Sequence, residues 1–216
     1  MFGPRKVTED GYESQLATNY LGHFLLTSLL LPHLARAGDA RVVNVSSAAS
    51  YLGSWLDWSD WTSLARFYSP EQAYGNSKAA QILFTRQLTN LLEQTNSNIR
   101  CYSIHPGIVY TDLYVNVWWM KPFSLLARYN VFIHNRDMTR LSARLVMKSP
   151  EQGGDTLVHA VLDPDLPRQG GGLHLENHRP ARVSSFCQNS LNQEKLWATT
   201  SALLRIEKFG RSEKQK

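Results

Sequence analysis

The sequence has few cysteines and no long uninterrupted apolar segment, and these two features disfavour disulfide-rich, zinc-binding and membrane-spanning proteins. Its 216 residues include two cysteines, Cys101 and Cys187, which form no C-x-x-C pair. Reduced thiols are therefore expected, and neither a disulfide framework nor a cysteine-based zinc site is predicted. The closest candidate for a membrane span, positions 115–133, is interrupted by Lys121 and Arg128. It lacks the run of about 18 apolar residues that a transmembrane helix requires.

The start of the chain and its charge disfavour two further classes. The opening M-F-G-P-R-K turns polar at once, so no secretory signal peptide is predicted. The net charge of +5 is spread along the sequence and is densest over positions 205–216. We interpret this tail as a solvated chain end rather than a nucleic-acid-binding arm. No nucleic-acid partner is expected, whereas contact with an anionic membrane surface stays open.

Apolar, β-branched segments alternate with segments of helical length. Strands are predicted over positions 41–45, 99–104 and 173–175, and helices over 10–37, 70–94, 150–163 and 192–208. For the first helix, Thr8 is a candidate cap and Pro32 a candidate kink. The alternation predicts an α/β fold with a parallel sheet covered by helices. Without repeats or a linker, residues 1–216 are expected to form a single domain.

The stretch A-Y-G-N-S-K places Tyr74 one helical turn before Lys78. Nine tyrosines and eight lysines would give about 0.3 such pairs by chance, so the pair alone is weak support for a site. A free phenol has a pKa of about 10, which is too high for an efficient base near neutrality. Because a nearby ammonium group lowers that pKa, Lys78 could make Tyr74 usable in proton transfer.

Further polar or flexible residues follow the strands on either side of this helix. Ser46 and Ser47 end the strand at 41–45, and Pro106-Gly107 ends the next strand. Ligands bind at the carboxyl edge of open parallel sheets, so these residues are expected to lie near one another. Asn19 stands among apolar neighbours within the first predicted helix.

Four motifs occur in a defined order: N-Y-L-G-H-F-L-L, R-V-V-N-V-S-S, Y-S-P-E-Q-A-Y-G-N-S-K and H-P-G-I-V-Y-T-D. Together they resemble the short-chain dehydrogenases/reductases, and S-P-E-Q-G-G resembles the retinol-dehydrogenase-like branch of that family. The resemblance covers essentially the whole chain. It implies a Rossmann-like, doubly wound parallel sheet. It also implies NAD- or NADP-dependent interconversion of a hydrophobic alcohol, such as a retinoid, polyprenol or steroid, and its aldehyde or ketone.

The resemblance also implies a role for each residue. Tyr74 would exchange the proton, and Lys78 would lower its pKa and hold the nicotinamide ribose. Ser47 would orient the substrate oxygen, and it is preferred to Ser46 because the family uses the second serine. Asn19 would fix a water molecule for onward proton transfer, with its side chain holding the helix locally open. The implied cofactor-binding residues are Tyr74, Lys78, Pro106, Gly107, Ile108, Val109 and Thr111.

One part of the family pattern is missing. The glycine-rich turn T-G-x-x-x-G-x-G, which approaches the cofactor pyrophosphate, does not occur, and neither does N-N-A-G. Gly170-Gly171-Gly172 cannot replace it because that stretch precedes a strand. We therefore expect the C-terminal two-thirds of such an enzyme, without the first βαβ cofactor-binding half. This chain alone is expected to bind NADP or NAD weakly or not at all.

Several alternatives stay open. A non-catalytic remnant that acts as a binding or regulatory protein would account for the missing turn. A serine hydrolase is disfavoured because no G-x-S-x-G occurs. A metal site over positions 174–178 is disfavoured because H-E-x-x-H is absent. The sequence leaves open self-association, and either a cytoplasmic location or peripheral contact with the endoplasmic reticulum or a lipid droplet.

The aromatic region after position 112 suggests where an apolar substrate would be covered. In the family, a substrate lid occupies this region, and its bulky residues suit a long apolar alcohol or carbonyl compound. Ordinary core packing is an equally good interpretation of the same residues. They are Trp118, Trp119, Met120, Phe123, Leu125 and Leu126.

Overall fold

The structure, a computed structural model, describes residues 3–55, 62, 68–109 and 147–210. Its strands are β1 (Arg41–Val45), β2 (Arg100–His105), β3 (Leu173–Glu176) and β4 (Arg179–Pro180). Its α-helices are α1 (Ser14–Leu16), α2 (Gly22–Arg36), α3 (Pro70–Gln94), α4 (Pro150–Leu162), α5 (Ser185–Gln188) and α6 (Ser190–Leu203). A π-helical turn (Ala17–Leu21) joins α1 to α2, and 3₁₀ helices cover Ala48–Trp55 and Leu166–Gln169.

The four strands form one sheet in the order β1-β2-β3-β4. β1 pairs in parallel with β2, with Val45 opposite Ile104, and β2 pairs in parallel with β3, with Ile104 opposite Leu175. The α/β fold with a parallel sheet is therefore confirmed. β4 pairs antiparallel to β3. It was not predicted, because two residues are too few to show an alternating pattern.

Apolar clusters cover both faces of the sheet. The larger cluster joins α2, α3 and α6 to the sheet around Phe24, Phe84 and Leu196. The smaller one packs Ala160 of α4 and Leu166 against β2 and β3. Each large apolar side chain buried in this way contributes about 1.5–3 kcal/mol. β2 is thus covered on both faces, and the residues that follow it are placed on a rigid support.

Local sequence signals explain where the two helices next to the site begin. Ser69 accepts a hydrogen bond from the Gln72 backbone N–H, and proline occupies the first turn of α3. Ser149 and Gln152 form a capping box at the start of α4. These side chains satisfy backbone N–H groups that the first helical turn leaves unpaired. The predicted starts of both helices are confirmed.

Three details of the predicted helices are wrong. Glu13, rather than Thr8, caps the first helix, because its carboxylate accepts from backbone N–H groups in α1. Thr8 lies in the preceding turn, where its hydroxyl accepts from the Tyr12 backbone N–H. The helix predicted over 10–37 is divided by the π-helical turn. The last helix ends at Leu203, five residues before its predicted end, and Arg205 just beyond it has a positive φ of 54°.

Pro32 lies inside α2, which continues to Arg36.

None of the helices within the described parts of the chain is long and apolar enough to cross a membrane.

Candidate active site

Tyr74 and Lys78 lie one turn apart on α3. The Lys78 Nζ is 5.6 Å from the centroid of the Tyr74 ring, within the range of a cation–π contact. It also donates a hydrogen bond to the Val45 carbonyl oxygen at 3.0 Å, which ties the lysine to the end of β1. Tyr74 is buried, with 7% of its surface exposed. The structure thus forms the predicted pair beside the carboxyl edge of the sheet.

The charge of Lys78 is affected by its surroundings. Burial lowers the pKa of its ammonium group to about 8. At pH 7 this leaves roughly nine in ten molecules with the lysine protonated, since one pH unit corresponds to a tenfold ratio. A positive charge therefore stands beside Tyr74 at neutral pH, and such a charge favours the phenolate form of a neighbouring tyrosine.

The two serines after β1 differ in their contacts. Ser46 is buried, and its hydroxyl donates to the Lys78 carbonyl oxygen at 2.7 Å, so it fastens β1 to α3. Ser47 is half-buried, and its Oγ accepts from the Ala49 backbone N–H at 3.2 Å. Within the described parts of the chain, the Ser47 hydroxyl donates to no residue. The choice of Ser47 as the substrate-binding serine stays a prediction.

Two glycines bring the serine-bearing segment against α3. A Cβ added to Gly75 would lie 2.8 Å from the Ala49 carbonyl oxygen and 2.9 Å from the Gly53 backbone nitrogen. A Cβ added to Gly53 would lie 2.4 Å from the Gly75 carbonyl oxygen. The 3₁₀ helix after Ser47 therefore rests directly on the turn of α3 that carries Tyr74. Any side chain at either glycine would push the two segments apart.

Asn19 lies in the π-helical turn and contacts α3. Its Nδ2 donates to the Ser77 Oγ at 2.9 Å, and the Ser77 hydroxyl donates to the Tyr74 carbonyl oxygen at 2.8 Å. The Asn19 carbonyl oxygen accepts from the Gln81 Nε2, which also lies 2.6 Å from the His23 Nδ1. The helix is locally widened at Asn19, because Ala17–Leu21 is a π-helical turn. The proposed water-binding role of Asn19 stays a prediction.

Ser77 and Gln81 were not identified from the sequence as part of this arrangement. Both are fully buried polar residues on α3. The helical spacing of the sequence could have indicated them, because they stand three and seven positions after Tyr74 and therefore lie on the same face of the helix. Their contacts connect α3 to the π-helical turn.

Four of the predicted cofactor-binding residues follow β2. Because the Ser46 backbone N–H donates to the Ile104 carbonyl oxygen at 2.7 Å, the ends of β1 and β2 are adjacent. Gly107 has a positive φ of 91°, which favours glycine, and the side chain of Ile108 is 54% exposed. Pro106 and Val109 complete this segment. Thr111 and the six predicted lid residues lie outside the described residues.

The histidines near the ends of β2 and β3 do not form a metal centre. The His174 Nδ1 lies 2.9 Å from the Ser103 Oγ, and burial together with the neighbouring His105 lowers the pKa of His174 to about 4. His178 and Glu176 are exposed. The described parts of the chain contain no group of three residues that could hold a metal ion.

Comparisons with known proteins find relatives along most of the chain. Residues 62–121 match the short chain dehydrogenase family. Polyprenol dehydrogenase from Homo sapiens is 37% identical over 202 residues, covering 92% of this chain and 56% of that protein. The chain is a homologue of the short-chain dehydrogenases. Retinol dehydrogenase 12 from Mus musculus is 35% identical over 208 residues, covering 96% of this chain and 59% of that protein.

A solved structure is also similar to this short-chain dehydrogenase homologue over most of its length. An uncharacterized protein from Mycobacterium Paratuberculosis is 30% identical and superimposes with a TM-score of 0.64, covering 94% of this chain and 62% of that one. The resemblance to the retinol-dehydrogenase-like branch is confirmed by these matches. The chain spans somewhat more than half the length of the two dehydrogenases to which it is compared.

Proposed function

We propose that the protein acts as an NAD- or NADP-dependent oxidoreductase that interconverts a hydrophobic alcohol and its aldehyde or ketone. The observation that carries the proposal is the Tyr74–Lys78 pair, which Lys78 fastens to the end of β1. Ser47 stands at the end of β1 with a hydroxyl that donates to no described residue. The names of the two dehydrogenase relatives, for polyprenol and retinol, support a hydrophobic alcohol as substrate.

The residues suit proton transfer at an alcohol oxygen. In the oxidising direction, the Ser47 hydroxyl would hydrogen-bond the substrate oxygen, and a Tyr74 phenolate would accept its proton. Lys78 favours that phenolate through its positive charge. In the reducing direction, the tyrosine would return the proton. A bound nicotinamide would exchange the hydride, while the protein orients and polarises the substrate.

The chain fits the nicotinamide end of such a cofactor better than the pyrophosphate end. The segment at positions 106–109 and the Lys78 ammonium lie at the carboxyl edge where a nicotinamide would be held. The sequence contains no glycine-rich turn for the pyrophosphate. We therefore expect titration of the 216-residue chain with NADPH or NADH, followed by protein fluorescence, to show weak or no binding. Binding in the micromolar range would contradict this expectation.

The Tyr74→Phe variant tests the chemistry. The substitution removes the phenolic hydroxyl group and retains the aromatic ring. The rate of alcohol oxidation should therefore fall by about 10²- to 10⁴-fold, the usual contribution of a general base. The assay uses a form of the chain to which an upstream strand and glycine-rich turn have been added. Tyr51→Phe is the matched control, because Tyr51 is 52% exposed and its hydroxyl bonds only to the Arg182 carbonyl oxygen among the described contacts.

Unchanged oxidation by Tyr74→Phe would exclude the proposed mechanism. It would instead favour the alternative of a non-catalytic binding or regulatory protein.

A further inference from the structure

Lys148, a residue outside the predicted site, holds the segment at positions 106–109. Its Nζ donates to the Pro106 carbonyl oxygen at 3.2 Å. Its backbone N–H donates to the Ile108 carbonyl oxygen at 2.8 Å, and its backbone pairs in parallel with Val109. One residue therefore contacts this segment through both its main chain and its side chain.

The lysine side chain also covers Gly107. A Cβ added to Gly107 would lie 2.9 Å from the Lys148 Cε and 3.0 Å from its Cδ. On α4, a Cβ added to Gly153 would lie 2.5 Å from a methyl group of Val109. The segment is thus closely packed against the lysine stem at Gly107 and against α4 at Val109. Each close contact depends on a glycine.

The other end of the lysine is fixed to the β3–β4 hairpin. Its Nζ donates to the Asn177 Oδ1 at 2.5 Å. Asn177 and His178 have positive φ angles of 50° and 64°, and they connect the paired residues Glu176 and Arg179. Two consecutive positive φ angles are typical of a type I′ hairpin turn, in which asparagine is favoured. The acceptor oxygen is therefore presented by a defined turn rather than by an unconstrained loop.

We propose that Lys148 and Asn177 form a clamp that fixes segment 106–109 in the conformation that contacts a nicotinamide. The clamp links the end of β2 to the turn after β3, across the carboxyl edge of the sheet. Lys148 is then a positioning residue, acting on the segment rather than on the substrate. The clamp itself is a property of the chain without ligand, while its consequence for cofactor binding rests on the proposed function.

Hydrogen–deuterium exchange on the 216-residue chain tests the clamp. Lys148→Met removes the charged donor, and Asn177→Gly removes the acceptor but tolerates the positive φ. Each is expected to speed several-fold the exchange of the Gly107 amide, which donates to the His105 Nδ1, and of the Lys148 amide, which donates to the Ile108 carbonyl oxygen. The double variant should exchange no faster than the faster single variant, because both substitutions break the same link.

Conservative and distant substitutions separate a clamp from general destabilisation. Lys148→Arg and Asn177→Asp keep the donor and the acceptor, so they should restore slow exchange. Exchange in α3 should stay the same in every variant. Lys208→Met, at an exposed lysine beyond α6, is the matched control. The clamp is overturned if the amides of residues 107 and 148 exchange at the same rate in Lys148→Met and Lys208→Met, or if the conservative variants fail to restore protection.

Titration with NADPH and NADH separates this inference from the proposed function. If the wild-type chain binds either dinucleotide, Lys148→Met should weaken that binding several-fold and Lys148→Arg should largely recover it. Equal binding by wild type and Lys148→Met would overturn the positioning role. If no variant binds, the exchange data alone decide whether the clamp exists, and the lack of binding counts only against cofactor use by this chain.

Discussion

The buried histidine His174 should make the protein sensitive to mild acid. Burial, with a contribution from His105, lowers the pKa of His174 to about 4 from its ordinary 6.5. Between these values the unfolded chain binds a proton that the folded protein excludes, so stability falls as the pH decreases from 6.5 toward 4. The linkage relation gives a loss of about 2 kcal/mol from this residue between pH 7.5 and pH 5.

The assay compares urea unfolding of the wild type and His174→Gln at the two pH values. The glutamine amide does not titrate and can still bond to the Ser103 hydroxyl, which lies 2.9 Å from the imidazole. The free energy of unfolding of the variant should therefore fall by about 2 kcal/mol less than that of the wild type. His105→Gln is a useful comparison, because burial also lowers the pKa of His105. Equal losses in the wild type and His174→Gln would refute the reasoning.

Three other predictions follow from the site. Gly75→Ala should lower the free energy of unfolding by about 1–3 kcal/mol through overpacking against the 3₁₀ helix; Gly154→Ala, where a Cβ meets nothing within 4 Å, should not. Gln81→Leu should lower the free energy of urea unfolding by about 1–3 kcal/mol, because the carbonyl oxygen of the half-buried Asn19 loses the Gln81 amide as a donor. A neutral result would show that another donor replaces the amide. Burial lowers the pKa of Lys78 to about 8 from its ordinary 10.5, so between these pH values the unfolded chain binds a proton that the folded protein has released. The free energy of unfolding of the wild type should therefore rise relative to that of Lys78→Met as the pH increases from 8 toward 10.5. Parallel pH profiles of the two proteins would contradict this prediction.

The elements around the site follow from local patterns. The β-branched run Arg41–Val45 and the Ser69–Pro70 start of α3 are strong signals, and both were predicted at their observed positions. The pairing of Tyr74 with Lys78 follows from helical spacing alone. Their placement beside the strand ends follows from the alternation of strands and helices in a parallel sheet.

Other features depend on contacts between distant segments. The approach of Gly53 to Gly75, and the bond from Gln81 to Asn19, appear only when the packing of the helices is known. The wrong prediction of Thr8 as the first helix cap has the same cause, because it rested on the local sequence alone. Thr8 has a suitable side chain, but the chain makes a further turn and Glu13 binds the backbone N–H groups of α1 instead. A local preference at Thr8 is thus overridden by the path of the chain.

The pairing of Val109 with Lys148 has a consequence for divergence among related sequences. This bridge joins two positions that are 39 residues apart in the sequence. For a chain segment whose ends are held together, doubling its length costs only about 0.6 kcal/mol in closure entropy. A change in the number of residues between Val109 and Lys148 should therefore cost little stability. In related sequences, such length changes are expected to be compatible with an unchanged Tyr74–Lys78 pair on α3.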